Sequence, residues 1–236
     1  MFRPFAVLRE RIAAVGCIGD QPEADAKFRW WRDAQLNDRY LIKDDPQREE
    51  MSAAIELGKS DPKAAFPQLL ALAQGGSVWS MLYVGTVYAR DTIGAKDFAE
   101  SERWLRLAME HGSRRARLYL CNLYAMQSDF DACEKVLQPC IAERFAPAMY
   151  ILGMAKLRQR PLTAQIREDA YILLKEASML GDVGAQWALS RRMARGWFGW
   201  RRIPQGFQLG VDASEKIEAL KNIGRDKQSE STADSI

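Results

Sequence analysis

One histidine and four cysteines are the residues from which this chain could most readily build a catalytic or metal site. A histidine-dependent triad or a mixed Cys/His site would have to use His111, since no other imidazole exists. His111 stands beside Gly112, in a context that reads as a solvent-facing turn. Cys17, Cys121, Cys133 and Cys140 lack the short paired spacing of zinc ligands. Gly75-Gly76 and Gly181-Asp182-Val183-Gly184 do not form a phosphate-cradling loop and read as turns. The carboxylates are dispersed, with no convergent pair. These features predict no catalytic residue, no metal and no cofactor, and hence not an enzyme.

Binding chemistry is more concentrated. Between Trp187 and Phe207 lie Trp187, Trp197, Phe198, Trp200 and Phe207, among Arg191, Arg192, Arg195, Arg201 and Arg202. No Asp or Glu occurs between Asp182 and Asp212. Such a run suits an anionic partner, a membrane interface, or single-stranded nucleic acid stacked on aromatic rings. It equally suits a packed terminus, with the aromatics turned inward and the arginines reaching out to water. The packing reading is preferred, because the end of an array needs apolar bulk.

Across the whole chain 34 basic residues nearly balance 31 acidic ones, which argues against a generic polyanion binder, and nucleic acid is not expected as a partner. The first 19 residues carry Arg3, Arg9, Glu10 and Arg11, so the uninterrupted apolar core of a signal peptide is absent. No run approaches 18 consecutive apolar residues, so no membrane span is expected. Unpaired cysteines read as reduced thiols, and the expected location is cytoplasmic.

The elements that position these residues repeat. Taking Ser80 as a reference, steps of 36, 32 and 37 residues reach Ala116, Ala148 and Ala185. Five residues after each reference stand Gly85, Cys121, Gly153 and Ser190, all small; four after stand Val84, Leu120, Leu152 and Leu189. Fifteen before stand Ala65, Ser101, Cys133 and Ala170, and eight before stand Leu72, Ala108, Cys140 and Ala177. Nineteen before come Asp61, Asp97 and Asp129, placed to cap a helix start, with Ile166 the exception. A period in the thirties with two helical patterns per unit predicts a stacked helix-turn-helix array. Small columns let neighbouring helices approach closely. Three of the cysteines fall on those columns, which assigns them to packing.

The unit resembles the Sel-one-like repeat (SLR) family of the tetratricopeptide-like superfamily. Ser80, Val84, Gly85, Tyr88, Asp97, Ser101, Trp104, Ala108, Gly112, Ser113 and Ala116 fall on its motif in register. Ala148, Leu152, Gly153, Ala170, Ala177, Gly181 and Ala185 match a second copy. The unit between them has a shortened loop and lacks the closing glycine, so it is nearer a plain tetratricopeptide repeat. The resemblance covers roughly residues 60–200 and is specific for fold. It implies an all-α, right-handed α-solenoid of bacterial style that mediates protein–protein contacts.

The expected organisation is a helical N-terminal cap over 1–45 and a repeat array over 46–210, with Pro204, Gly206 and Gly210 breaking helix formation at its end. A capping helix over 211–224 and a disordered polar tail over 225–236 complete the chain.

The expected function is a non-catalytic scaffold or adaptor holding a protein or peptide in a concave groove lined by the first helix of each pair. Three and six residues after each reference should point into that groove. This gives Tyr83 and Thr86, Tyr119 and Asn122, Ile151 and Met154, and Ala188 and Arg191. Trp79, Arg115 and Arg195 extend the surface. Tyr hydroxyls and an Asn amide would grip peptide backbone, and the arginines would favour an acidic end on the ligand. Packing of Tyr83 and Tyr119 between adjacent first helices is the competing role for these rings. The alternative function is a peripheral factor of an envelope or polysaccharide assembly, docked at a membrane through the Trp187–Phe207 surface.

Overall fold

Tight turns set the repeat. Gly76, Gly112 and Gly181 take φ of +100°, +90° and +93°, a region open to glycine at no steric cost. Each is followed by a helix N-cap, Ser77, Ser113 or Asp182, whose side chain accepts the N–H of the reference residue Ser80, Ala116 or Ala185. The third unit builds the same turn without these residues. Arg144 takes φ +56° in the glycine position, and Phe145 follows it with no side-chain cap.

The computed structural model describes residues 45, 47–91, 93–94 and 96–216. The expected N-terminal cap and polar tail, together with Cys17, lie outside the described residues, apart from Asp45. Helices α1 (Arg48–Ser60), α2 (Pro62–Gln74), α3 (Val78–Arg90), α4 (Phe98–Glu110) and α5 (Arg114–Met126) are followed by α6 (Phe130–Ala142), α7 (Ala146–Lys156), α8 (Ala164–Met179) and α9 (Val183–Ala194). A 3-10 turn over Trp200–Arg202 leads into α10, helical from 203 to 216, the last described residue. Among the described residues there is no strand. The molecule is an all-α array of helical hairpins.

Second helices start where the sequence places their caps. Asp61 accepts from the Ala64 N–H, Asp97 from those of Ala99 and Glu100, and Asp129 from that of Ala132. At α8, where Ile166 breaks the Asp column, Thr163 caps a helix that begins earlier.

Within a pair, the small columns are the contact. A Cβ added to Gly85 would stand 2.8 Å from Leu105 Cγ, and one added to Gly153 would stand 3.0 Å from Leu174 Cγ. Ser101 Oγ donates to the Gly85 carbonyl at 2.7 Å, and Cys133 Sγ donates to the Cys121 carbonyl at 3.0 Å, at equivalent places in successive units. Cys121, Cys133 and Cys140 are buried free thiols. Between pairs, α3 touches α5 and α5 touches α7, so these three first helices form a continuous row. Their burial differs accordingly: α5 buries residues such as Leu118, Leu120 and Leu123 around its circumference, while α6 buries only Cys133, Leu137 and Cys140.

One expectation is corrected at the end of the array. Pro204, Gly206 and Gly210 do not break a helix; all three lie within α10. Pro204 falls in the first turn, where its missing N–H needs no partner. Gly206 is buried, and a Cβ there would stand 2.6 Å from both Ala194 N and Met193 Cβ. The glycine serves a close crossing of α10 over the end of α9. Gly206 and Ala213 are spaced like Ala65 and Leu72, Ser101 and Ala108, Cys133 and Cys140, or Ala170 and Ala177, and both are buried. Helix α10 is therefore the second helix of a further pair.

Candidate partner-binding face

Residues one before, three after, six after and ten after each reference lie four, three and four positions apart, which places them on one stripe of a first helix. On α3 the stripe is Trp79, Tyr83, Thr86 and Arg90; on α5 it is Arg115, Tyr119, Asn122 and Met126. Trp79, Tyr83, Thr86, Tyr119, Asn122, Met154 and Arg191 are half-buried, and Arg195 is exposed.

The structure gives several of these residues structural neighbours. Tyr83 packs across to α1, where its hydroxyl occupies the space over Gly58, 2.6 Å from where a Cβ would stand. The Thr86 hydroxyl donates to the Tyr83 carbonyl at 2.7 Å. Trp79 and Arg115 come together, the guanidinium carbon 4.8 Å from the ring centroid, and Arg115 is only 7% exposed. Tyr119 packs partly against the core.

Ile151 and Ala188 require correction. Both were expected to face the groove, and both are buried, at 8% and 6% exposure. Ile151 belongs to the same apolar cluster as Leu120 and Leu123. The stripe is closed at this depth on α7 and α9, where Pro147 and Gly184 are also buried.

The stripe continues one turn further, to a position at which the sequence predicts only Arg195. Ten residues after the references stand Arg90, Met126, Arg158 and Arg195, every one exposed. The same heptad-like spacing that led to Tyr83 and Thr86 leads on to Arg90. Exposure along the stripe thus rises toward the C-terminal ends of the first helices.

The basic-aromatic run divides. Trp187 and Phe198 are buried, and Tyr171 meets Phe198 with ring centroids 5.3 Å apart. Arg202 forms a two-toothed pair with Glu168 at 2.8 and 2.9 Å and lies 3.9 Å from the Tyr171 ring centroid. Its hydrogen bonds hold the Glu168 carboxyl below the ordinary carboxylate range. Trp197 and Trp200 instead remain 40% and 74% exposed. His111 is an exposed C-cap residue of α4. Among the described residues no cluster of His, Cys, Asp or Glu could hold a metal ion, and no helix is long and apolar enough to cross a membrane.

No protein-family model and no curated protein sequence matches the chain. Solved structures do. A protective antigen of uropathogenic Escherichia coli strains displaying an SLR fold aligns with TM-score 0.51 and 17% identity, over 75% of this chain and 42% of its own. A Sel1 repeat protein from Oxalobacter formigenes aligns with TM-score 0.50 and 19% identity, over 82% of this chain and 60% of its own. The chain therefore spans less than two thirds of either structure. The likeness is one of fold, and that fold is an SLR-type helical repeat.

Proposed function

We propose that this SLR-type array is a non-catalytic scaffold or adaptor that holds a segment of a partner protein along its row of first helices. Helical-repeat arrays of this type typically mediate protein interaction. The observation that carries the reading is the stripe running through Tyr119, Asn122 and Met126 on α5 and its equivalents on α3, which stays incompletely buried while the flanking positions enter the core. Its side chains combine aromatic area, an amide and guanidinium groups, the types most often found as binding hot spots. Trp79, Tyr83, Thr86, Arg115, Tyr119, Asn122, Met154, Arg191 and Arg195 are the residues assigned to it. Ile151 is left out because it is buried, and Arg115, equally buried, belongs to the face only through its stack on Trp79. The test is the double substitution Tyr119→Ala with Asn122→Ala, assayed by capture of the native partner and by circular dichroism. Lost capture with retained helicity supports the face; unchanged capture moves the binding site elsewhere.

A second reading, a peripheral membrane contact, draws support from Trp197 and Trp200. Both are exposed beside Arg195 and Arg201, with the Arg201 guanidinium 5.4 Å from the Trp200 ring centroid. Interfacial anchors combine such rings with cations. Co-sedimentation with anionic liposomes, abolished by Trp200→Ala with Trp197→Ala, is the outcome this reading requires.

A further inference from the structure

Charge in this array is sorted by helix layer. Helices α3, α5, α7 and α9 contain no Asp or Glu, and all their charged residues are Arg or Lys. Acids lie on three of the second helices, Glu100, Glu102 and Glu110 on α4, Asp131 and Glu134 on α6, and Glu168, Asp169 and Glu176 on α8, while α2 has none. The near-neutral total charge conceals this segregation. Helix α1 stands apart, with Glu49, Glu50 and Glu56.

Packing does not demand such sorting, because the exposed ends of the first helices would accept either sign. Compensation of the helix dipole could place cations at C-terminal ends. It does not account for this pattern, since α2, α4, α6 and α8 have no basic residue in their last turns. Helix α4 even ends on Glu110, and Glu143 is the C-cap of α6. Basic residues in the last turn occur on α1, α3, α7 and α9, while those of α5, Arg114, Arg115 and Arg117, lie at its N-terminal end.

Pairing divides the cations by position rather than by layer. Arg103 is bound to Glu100, Arg106 to Glu102 and Arg202 to Glu168, and on first helices Arg114 is bound to Glu143 and Lys156 to Glu134. Among the described residues no acid pairs with Arg90, Arg158 or Arg195, the exposed cations at the ends of α3, α7 and α9. Met126, 49% exposed, holds the corresponding place on α5. Three exposed guanidinium groups thus hold the same register position, ten after the reference, at the C-terminal ends of α3, α7 and α9, with Met126 at that position on α5.

We propose that these positions form a docking row for an acidic segment of a partner protein, laid across the C-terminal ends of the first helices with carboxylates on Arg90, Arg158 and Arg195. The proposal rests on the scaffold reading and adds the chemistry of the partner. Packed helices lie about 8–10 Å apart. A polyproline II strand returns the same face every three residues, or about 9 Å, so an acid at every third position keeps step with successive first helices. Guanidinium is suited to such a row because it holds a carboxylate with two parallel hydrogen bonds.

The test uses the full chain and a fluorescein-labelled peptide with Glu at every third position in a Pro/Ala background, read by anisotropy at low salt. A Gln-for-Glu peptide is the control. The proposal expects binding of the Glu peptide alone, weakened about ten-fold by Arg90→Gln with Arg158→Gln and Arg195→Gln. Lys63→Gln with Lys135→Gln and Lys175→Gln removes equal charge from second helices and should change affinity less than about two-fold. No binding of the Glu peptide overturns the proposal, as does equal weakening by both triple variants, which would mean a bulk-charge effect. Preference for a single-stranded oligonucleotide or anionic vesicles over the peptide also overturns it. If the Arg triple variant still captures the native partner while Tyr119→Ala with Asn122→Ala does not, the row fails and the scaffold reading stands.

Discussion

The Arg115 guanidinium lies over the Trp79 indole, carbon to centroid 4.8 Å, joining first helices of successive repeats. Each residue precedes its own reference position by one, so the repeat itself brings them face to face. The stack lets a nearly buried cation sit against an electron-rich ring rather than against hydrocarbon alone. A double-mutant cycle with Trp79→Leu and Arg115→Gln in urea denaturation should give a coupling of about 0.5–2 kcal/mol. Additive losses would mean that the two residues stabilise the array independently.

Glycine-to-alanine substitutions should rank by what the new methyl meets. Gly206→Ala meets the backbone of α9, which cannot swing aside, and should cost about 1–3 kcal/mol. Gly85→Ala meets Leu105 Cγ at 2.8 Å and the Ser101 carbonyl at 3.3 Å, Gly153→Ala meets Leu174 Cγ at 3.0 Å and the Ala170 carbonyl at 3.4 Å, and better helix propensity offsets part of the cost of these less severe contacts. Gly153→Leu overpacks the same contact and should cost about 1–3 kcal/mol. Thermal denaturation of the set checks the order. A Gly206→Ala protein as stable as wild type would contradict the crossing of α10 on α9.

The three buried cysteines should react slowly with a thiol reagent in native protein and quickly in denaturant. The hydrogen bond to Cys133 together with burial pushes the Cys121 thiol up, and burial pushes Cys140 up. Since the thiolate is the reactive form, access and ionisation both oppose labelling at Cys121 and Cys140, whereas at Cys133, held down by its hydrogen bond with Cys121, burial alone does. Fast native labelling of all three would reject their place in the packing columns.

The Arg202–Glu168 pair ties the turn before α10 to α8. Because Arg202 lowers the folded pKa of Glu168, the pair's stabilisation is present above the unfolded value, about 4.3, and is lost as pH falls through the lower folded value. Both side chains are partly exposed, so Glu168→Gln should cost only about 0.5–1 kcal/mol at pH 7. The gap to wild type should close in acid, below the ordinary glutamate range. A gap that persists there would assign the effect to packing rather than charge.

Legibility of the fold followed the strength of local signals. The helix pairs, their Asp caps and the close contacts at Gly85 and Gly153 were readable because spacing alone expresses them. Gly206 was not, since propensity treats Pro-x-Gly as a breaker while the helix there is held by its crossing with α9. Yet its spacing to Ala213 matches the small columns, so the signal was present. Ile151 shows the opposite failure: a stripe on one helix does not say how deeply neighbouring units cover it. Trp197 and Phe198 are adjacent, one exposed and one buried, a difference set by the Tyr171 contact rather than by composition.

The central claim is that a partner lies along the first helices, and site-specific photo-cross-linking tests it most directly. A photoreactive phenylalanine analogue would replace Asn122 on α5 in one variant and Lys135 on α6 in another, with both irradiated in the native cell. The account predicts a discrete protein adduct from position 122 and none from position 135, with the cross-linked peptide of the partner rich in Asp or Glu. An adduct from position 135 alone would place the partner on the second helices and contradict the account.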